Sequence, residues 1–172
     1  MIRPEQSRDA DSVRRVNQRA FGRSTEAALV DALRGSPGAV SLVATVEREI
    51  VGHILFTPVQ VGDEPRPSLA VGLAPMAVLP EYQRQGIGSE LVRAGLDACR
   101  SRGHSLVVVV GHPTFYPKFG FVQASTAGLA YEHAVRPEAF MVFELQAGML
   151  AQARGVVRYR PEFTRVPEPE RP

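Results

Sequence analysis

The stretch from Ala74 to Gly103, APMAVLPEYQRQGIGSELVRAGLDACRSRG, constrains the fold more than any other part of the chain. The apolar run Met76, Ala77, Val78, Leu79 reads as a strand and is stopped by Pro80. The turn Gln83-Arg84-Gln85-Gly86-Ile87-Gly88 follows, and helical spacing then takes over. Ile87, Leu91, Val92, Leu96 and Cys99 share one face, and Glu90, Arg93, Asp97 and Arg100 share the other. Arg100 and Arg102 in the last turn oppose the helix dipole, and Gly103 suits the position just past the helix end.

A strand, a glycine turn and a helix N-terminus make an anion site. The first helical N–H groups have no partners within the helix, and the dipole adds positive potential. Gly86 and Gly88 let a phosphate approach the backbone with no Cβ in the way, and Arg84 adds charge. A diphosphate is the natural guest. A Walker A loop is excluded because Ser89-Glu90 follows Gly88, and the dinucleotide fingerprint fails at Leu91, where its third glycine belongs.

The pattern that fits is Q/R-x-x-G-x-G/A. It resembles the acetyl-CoA signature of the GNAT superfamily of N-acetyltransferases, whose turn holds the pyrophosphate by main-chain N–H groups. A second element, Tyr116-Pro117-Lys118-Phe119-Gly120-Phe121, is similar to that superfamily's Y-x-K-x-G-F. Val51-Gly52-His53-Ile54-Leu55-Phe56 and the ending Val157-Arg158-Tyr159 resemble its YhbS-like branch. The resemblance implies an α/β chain with the GNAT fold: a mixed central β-sheet with splayed parallel strands, flanked by helices. It implies acetyl-CoA as co-substrate, bound by Met76, Ala77, Val78, Arg84, Gln85, Gly86, Ile87, Gly88 and Ser89. It further implies a small-molecule or peptide amine as acceptor, and it leaves room for a homodimer.

Length and composition agree with one globular domain, placed at residues 1–160 with a flexible tail at 161–172. The net charge of +2 and the scatter of the arginines give no basis for nucleic-acid binding. No apolar run reaches membrane-spanning length and no signal segment opens the chain, so a cytoplasmic protein is expected. The single cysteine, Cys99, cannot pair internally and reads as core packing. The histidines lack metal-ligand spacing, so no metal is expected, and no G-x-S-x-G elbow is present.

In order, the chain reads as a strand at Met1–Arg3, then a helix capped by Asp9 or Ser7 and ended by Gly22. A second helix starts at Ser24, and a hairpin joins Val40–Val46 to Ile50–Thr57. A loop covers residues 62–68, and the strand Leu69–Leu79 leads into the turn. The five-residue apolar run Leu106–Val110 reads as a strand buried on both faces beside a parallel neighbour. Phe121–Ala124 and Phe140–Leu145 read as the last antiparallel strands. Beyond Gly148 lies a poorly patterned appendage with a strand at Val156–Tyr159, and the segment from Pro161 reads as frayed.

For the chemistry, the resemblance puts the pantetheine arm along the main chain of Met76–Val78. One backbone N–H there would face the tetrahedral oxyanion, a contact worth about 3–4 kcal/mol. The resemblance makes Tyr116 the acid that protonates the departing thiolate; the alternative is a core tyrosine beside Phe115 and Phe119. Pro113 and Pro117 depart from the pattern, because Pro117 would disrupt a helix interior. The asparagine usual at the end of the preceding strand is absent, with Gly111 and His112 nearby. A lysine-like amine with a pKa of about 10.4 is neutral only about once in 2,500 at pH 7, so some group must take its proton. The strand carries no carboxylate. His53 and Glu81 are the candidate bases: His53 could equally be a satisfied core histidine, Glu81 a cap on the turn, and a water-mediated route is a third option. His104 reads as surface. An N-acetyltransferase working by direct attack in a ternary complex is the leading expectation, and a non-catalytic acyl-CoA-binding sensor or subunit is the alternative.

Overall fold

A computed structural model of the chain describes residues 1–63, 65–66 and 69–164. Part of the loop read at 62–68, including Pro67, and residues 165–172 of the tail lie outside the described residues. The first half runs β1 (Ile2–Pro4), α1 (Ala10–Phe21), α2 (Thr25–Leu33), β2 (Val40–Val46), β3 (Glu49–Pro58), β4 (Gln60–Val61) and β5 (Ala70–Val78). The second half runs α3 (Ile87–Ser101), β6 (Leu106–Val110), β7 (Val122–Gln123), β8 (Leu129–Tyr131), β9 (Phe140–Glu144) and β10 (Gly155–Arg158).

Seven strands form one sheet in the order β1-β2-β3-β5-β6-β9-β7. Its one parallel pair is β5 with β6, which runs only from Ala70↔Leu106 to Gly72↔Val108. Beyond that rung β5 continues to Val78 on β3 alone, and β6 continues to Val110 on β9. The register of β5 on β3 shifts between Ile54↔Met76 and Phe56↔Leu73, which leaves Ala74-Pro75 as a bulge. A strand proline has no ladder N–H to give, and the bulge is where the sheet tolerates it. The two central strands therefore part after Gly72, as the resemblance implies.

The apolar face of α3 is buried as its spacing predicts, with Leu91, Val92, Leu96 and Cys99 all in the core. Each such large side chain contributes about 1.5–3 kcal/mol. The helix seats closely because of Gly95, which the periodicity does not single out: a Cβ there would meet the Phe56 ring at 2.4 Å. Along β5, β6 and β9 alternate residues divide between two cores. Val71, Val107, Val109 and Met141 join the core that contains α3, while Ala70, Leu106, Val108, Phe140 and Val142 join a second one.

That second core lies under a small sheet in the order β4-β10-β8. The poorly patterned appendage is its centre: β10 pairs antiparallel with β4 and parallel with β8. Two-residue and three-residue strands carry too little alternation to be read as strands in sequence. The segment read as frayed from Pro161 begins instead with a turn, Pro161–Phe163, and the Phe163 ring packs edge-on against Tyr159 at 5.1 Å. The packed domain thus runs past residue 160. His104, read as surface, is buried with Nε2 3.0 Å from the Gly38 carbonyl oxygen. Asp9 precedes α1 but does not cap it; its carboxylate accepts from the Gln6 N–H at 2.7 Å and pairs with Arg3. The short helix expected around Tyr116 is a single 3-10 turn, Tyr116–Phe119, as Pro117 requires.

Candidate active site

The turn between β5 and α3 is built by its own side chains. Gln83 Nε2 donates to the Val78 carbonyl oxygen at 2.9 Å, and Gln85 Nε2 donates to the Glu81 carbonyl oxygen at 3.0 Å. Arg84 (φ 61°) and Gly86 (φ 88°) are both left-handed. For arginine that region is uncommon, and the two braces hold it there. Alternating right- and left-handed residues turn successive N–H groups to one side, a concave nest for an anion. None of the N–H groups from Arg84 to Ser89 makes a hydrogen bond among the described residues. Six unbonded donors at the start of a fifteen-residue helix form an anion site.

A cleft of about 870 Å³ opens over the turn. Of the residues expected to bind the donor, Met76, Val78, Arg84, Gly86, Gly88 and Ser89 line it. Ala77, Gln85 and Ile87 do not. Ala77 is buried, the Gln85 side chain is committed to the Glu81 carbonyl, and the Ile87 side chain packs over Gly52. Tyr82, Gln83, His112, Thr114, Phe115 and Lys118 complete the lining and were not among the expected site residues. Lys118 belongs to the Y-x-K-x-G-F element and lies over the Phe115 ring at 4.6 Å, so a positive charge faces the cleft. The signal that could have found them is positional: the loop after β6 leaves the sheet where the strands part.

Tyr116 does not line the cleft. It is 7% exposed, its ring edge-on to Phe115 at 5.0 Å and to Phe121 at 5.4 Å. Gly111 lies under it, where a Cβ would meet the ring at 2.4 Å. Burial pushes its hydroxyl up to about 12, so it holds its proton at neutral pH.

Both candidate bases are placed elsewhere. His53 sits beside Ala77 in the β3–β5 register, but its side chain is fully buried on the side of α1. Asn17 Nδ2 donates to Val13 O and reaches His53 Nδ1 at 3.2 Å, which makes Nδ1 the acceptor. The proton then sits on Nε2, 2.9 Å from Ser41 Oγ, and Ser41 in turn donates to the Glu5 carboxylate. With both ring nitrogens engaged and no path to the cleft, His53 is the satisfied core histidine. Glu81 is exposed and bound twice by Arg19, at 2.7 and 3.0 Å. That hydrogen bond lowers its pKa, which makes it a weaker base; it ties α1 to the turn. Cys99 is buried, and burial pushes its thiol up to about 12.

Residues 37–123 match the acetyltransferase (GNAT) domain. The chain is 35% identical over 167 residues to the uncharacterised N-acetyltransferase YhbS of Escherichia coli (strain K12), covering 96% of this chain and 99% of that one. The chain belongs to the GNAT acetyltransferases. Within the family it is also 46% identical over 116 residues to the uncharacterised N-acetyltransferase YjhQ of the same strain, covering 66% of this chain and 64% of that protein, a little under two thirds of its length. The crystal structure of Escherichia coli YhbS in complex with CoA superposes with a TM-score of 0.89 at 34% identity, covering 95% of this chain and 91% of that one. A GNAT acetyltransferase from Brucella melitensis in complex with acetyl-CoA superposes with a TM-score of 0.76 at 33% identity, covering 95% and 97%. The fold is the GNAT fold, and acetyl-CoA is the co-substrate of GNAT enzymes. Among the described residues no helix is long and apolar enough to cross a membrane.

Proposed function

We propose that the chain transfers an acetyl group from acetyl-CoA to a primary amine by direct attack in a ternary complex. The observation that carries this is the set of six unbonded N–H groups from Arg84 to Ser89, at the foot of the gap where β5 and β6 part. The nest holds the pyrophosphate, with Arg84 and Lys118 as nearby charges. The pantetheine arm runs along Met76–Val78, the stretch of β5 that has no partner on the β6 side. Relatives that bind CoA and acetyl-CoA support acetyl-CoA as the ligand.

The amine nitrogen attacks the thioester carbon, and a backbone N–H of Met76–Val78 stabilises the oxyanion that forms. The C–S bond then breaks and Tyr116 gives its proton to the thiolate, a modest contribution beside positioning. His53 and Glu81 being otherwise bound, the amine proton leaves through water in the open cleft. A covalent route through the cysteine is closed: Cys99 lies about 16 Å of helix rise from the turn, buried and protonated.

The test is an initial-rate study with acetyl-CoA and a panel of primary amines, read by release of the CoA thiol. Intersecting plots are expected, and parallel plots would sink the ternary complex. Tyr116→Phe should lower kcat and kcat/KM together, about tenfold, with CoA affinity unchanged; a wild-type rate would return Tyr116 to packing. CoA binding with no transfer to any amine would favour a non-catalytic sensor.

A further inference from the structure

His112 stands just beyond β6, and neither the nest nor the donor's arm uses its side chain. The chain has four histidines, and the rings of three are engaged. His53 is bound on both nitrogens, His104 meets the Gly38 carbonyl oxygen, and His133 Nε2 lies 3.7 Å from Glu132 Oε1. The His112 ring makes no hydrogen bond or ion pair among the described residues, and the residue is exposed where it lines the cleft. No carboxylate shares that lining, and of its side chains only an imidazole gains and loses a proton readily near neutral pH.

Its level along the sheet follows from the register. The last parallel rung is Gly72↔Val108, and from it both Met76 and His112 are four residues on. The bulge at Ala74-Pro75 takes up one residue of β5, so His112 stands across the gap from Met76 and Ala77. That is the stretch of β5 along which the donor's arm is placed.

The side of approach follows from alternation along β6. Val107 and Val109 belong to the core of α3, and Leu106 and Val108 to the second core. Val110 is next on that second side, yet it is 36% exposed although β6 is an inner strand between β5 and β9. The face opposite α3 is therefore uncovered beside the gap. The ladder runs one residue further, since the Gly111 N–H donates to the Ala139 carbonyl oxygen at 2.9 Å, and a Cβ on Gly111 would face the Tyr116 ring. Alternation then directs His112 away from Tyr116 and toward the side of Val110. Met76, whose Cε lies near Gly88, is on the α3 side with the nest.

We propose that His112 takes, through a water of the cleft, the proton that an acceptor ammonium must lose, and that the acceptor arrives over Val110 on the face opposite α3. The proposal rests on the acetyltransferase reading above and gives the amine proton a destination. The ammonium nitrogen passes one proton to His112, which later returns it to solvent. The neutral nitrogen attacks the thioester carbon, so the N–C bond forms, and the C–S bond breaks. Tyr116 protonates the departing sulfur and regains a proton from the nitrogen through water. One proton is released for each acetyl group transferred.

The test compares two acceptors of nearly one shape. One is a primary amine of the panel that releases thiol with the wild-type protein. The other is its β,β-difluoro analogue, whose weakly basic nitrogen is largely unprotonated at neutral pH. With the amine, His112→Gln should lower kcat and kcat/KM together by about a hundredfold. With the fluorinated analogue the loss should shrink to about threefold or less, because little proton transfer is left for the ring to assist. CoA affinity and melting temperature should match those of the wild type. Equal losses with both acceptors would make His112 a packing or positioning group and overturn the proposal. A wild-type rate with the amine, or CoA affinity reduced about tenfold, would overturn it as well. Absence of thiol release from the wild type with every amine would instead overturn the acetyltransferase reading, and this role with it.

Discussion

The turn at residues 82–89 and the cluster around His53 lie against the same two strands and treat polar groups in opposite ways. The turn leaves six N–H groups unbonded. The cluster ties its side chains to one another, leaving only Asn17 Oδ1 and one Arg34 nitrogen buried without a bond: His53 bonds Asn17 and Ser41, Ser41 bonds Glu5, and Glu5 bonds Arg34, which bonds Asp31. A titratable residue in a central strand suggests catalysis in sequence, yet here it is spent on structure. Free and convergent donors are the better mark of a site than chemically capable side chains, because a group already bonded has little left to offer a substrate.

The comparison breaks first at His53. His53→Ala removes a buried ring and takes one hydrogen bond each from Asn17 and Ser41, so stability should fall by about 3 kcal/mol, a shift of roughly 6–12 °C in Tm. CoA affinity of the folded variant should be unchanged by calorimetry. A tenfold loss of affinity in a stable His53→Ala protein would make the cluster part of the site after all.

The turn should respond in the reverse sense. A Cβ at Gly88 meets nothing nearer than Met76 Cε at 3.7 Å, so the fold accepts a side chain there. Gly88→Asp sets a carboxylate against the pyrophosphate, and CoA affinity should drop at least tenfold, about 1.4 kcal/mol, with Tm held. Unchanged binding would remove the turn from the donor site.

Acid sharpens the contrast further. Burial alone would raise the Glu5 pKa, but the neighbouring His53 ring and hydrogen bonds from Ser41 and Arg34 outweigh it and hold the carboxyl down at about 2. A carboxyl depressed in the folded state stabilises above its unfolded value of about 4.5 and loses that contribution as pH falls toward 2. Glu5→Gln should therefore flatten the stability profile between those limits, measured by urea unfolding across pH. A profile parallel to that of the wild type would mean that the network does not hold Glu5.

The smallest effect belongs to Cys99, which is part of neither region. Cys99→Ala should cost about 1 kcal/mol through a small cavity and keep the rate of thiol release. Loss of activity would reopen the covalent route.

The main sheet, the helices and the turn were legible because their signals are local. The helical face of α3, the buried run of β6 and the glycine spacing each lie within a few residues of the structure they specify. Alternation failed at β4 and β8, which are too short to repeat a pattern and gain their stability from β10 between them. The choice between base and structural group at His53 and Glu81 stayed open for a related reason: the residues that engage them, Asn17, Ser41 and Arg19, lie far off in the chain.

The sequence by itself determined the glycine turn after β5 and the amphipathic helix behind it. Local spacing and glycine conformation suffice for those, whatever the rest of the chain does. Only the tertiary structure decided that His53 is bound on both nitrogens, that Gly95 admits Phe56, and that Tyr159 lies on Gly72. Each of these depends on which distant side chains the register and packing bring together, and no spacing along one strand carries that information.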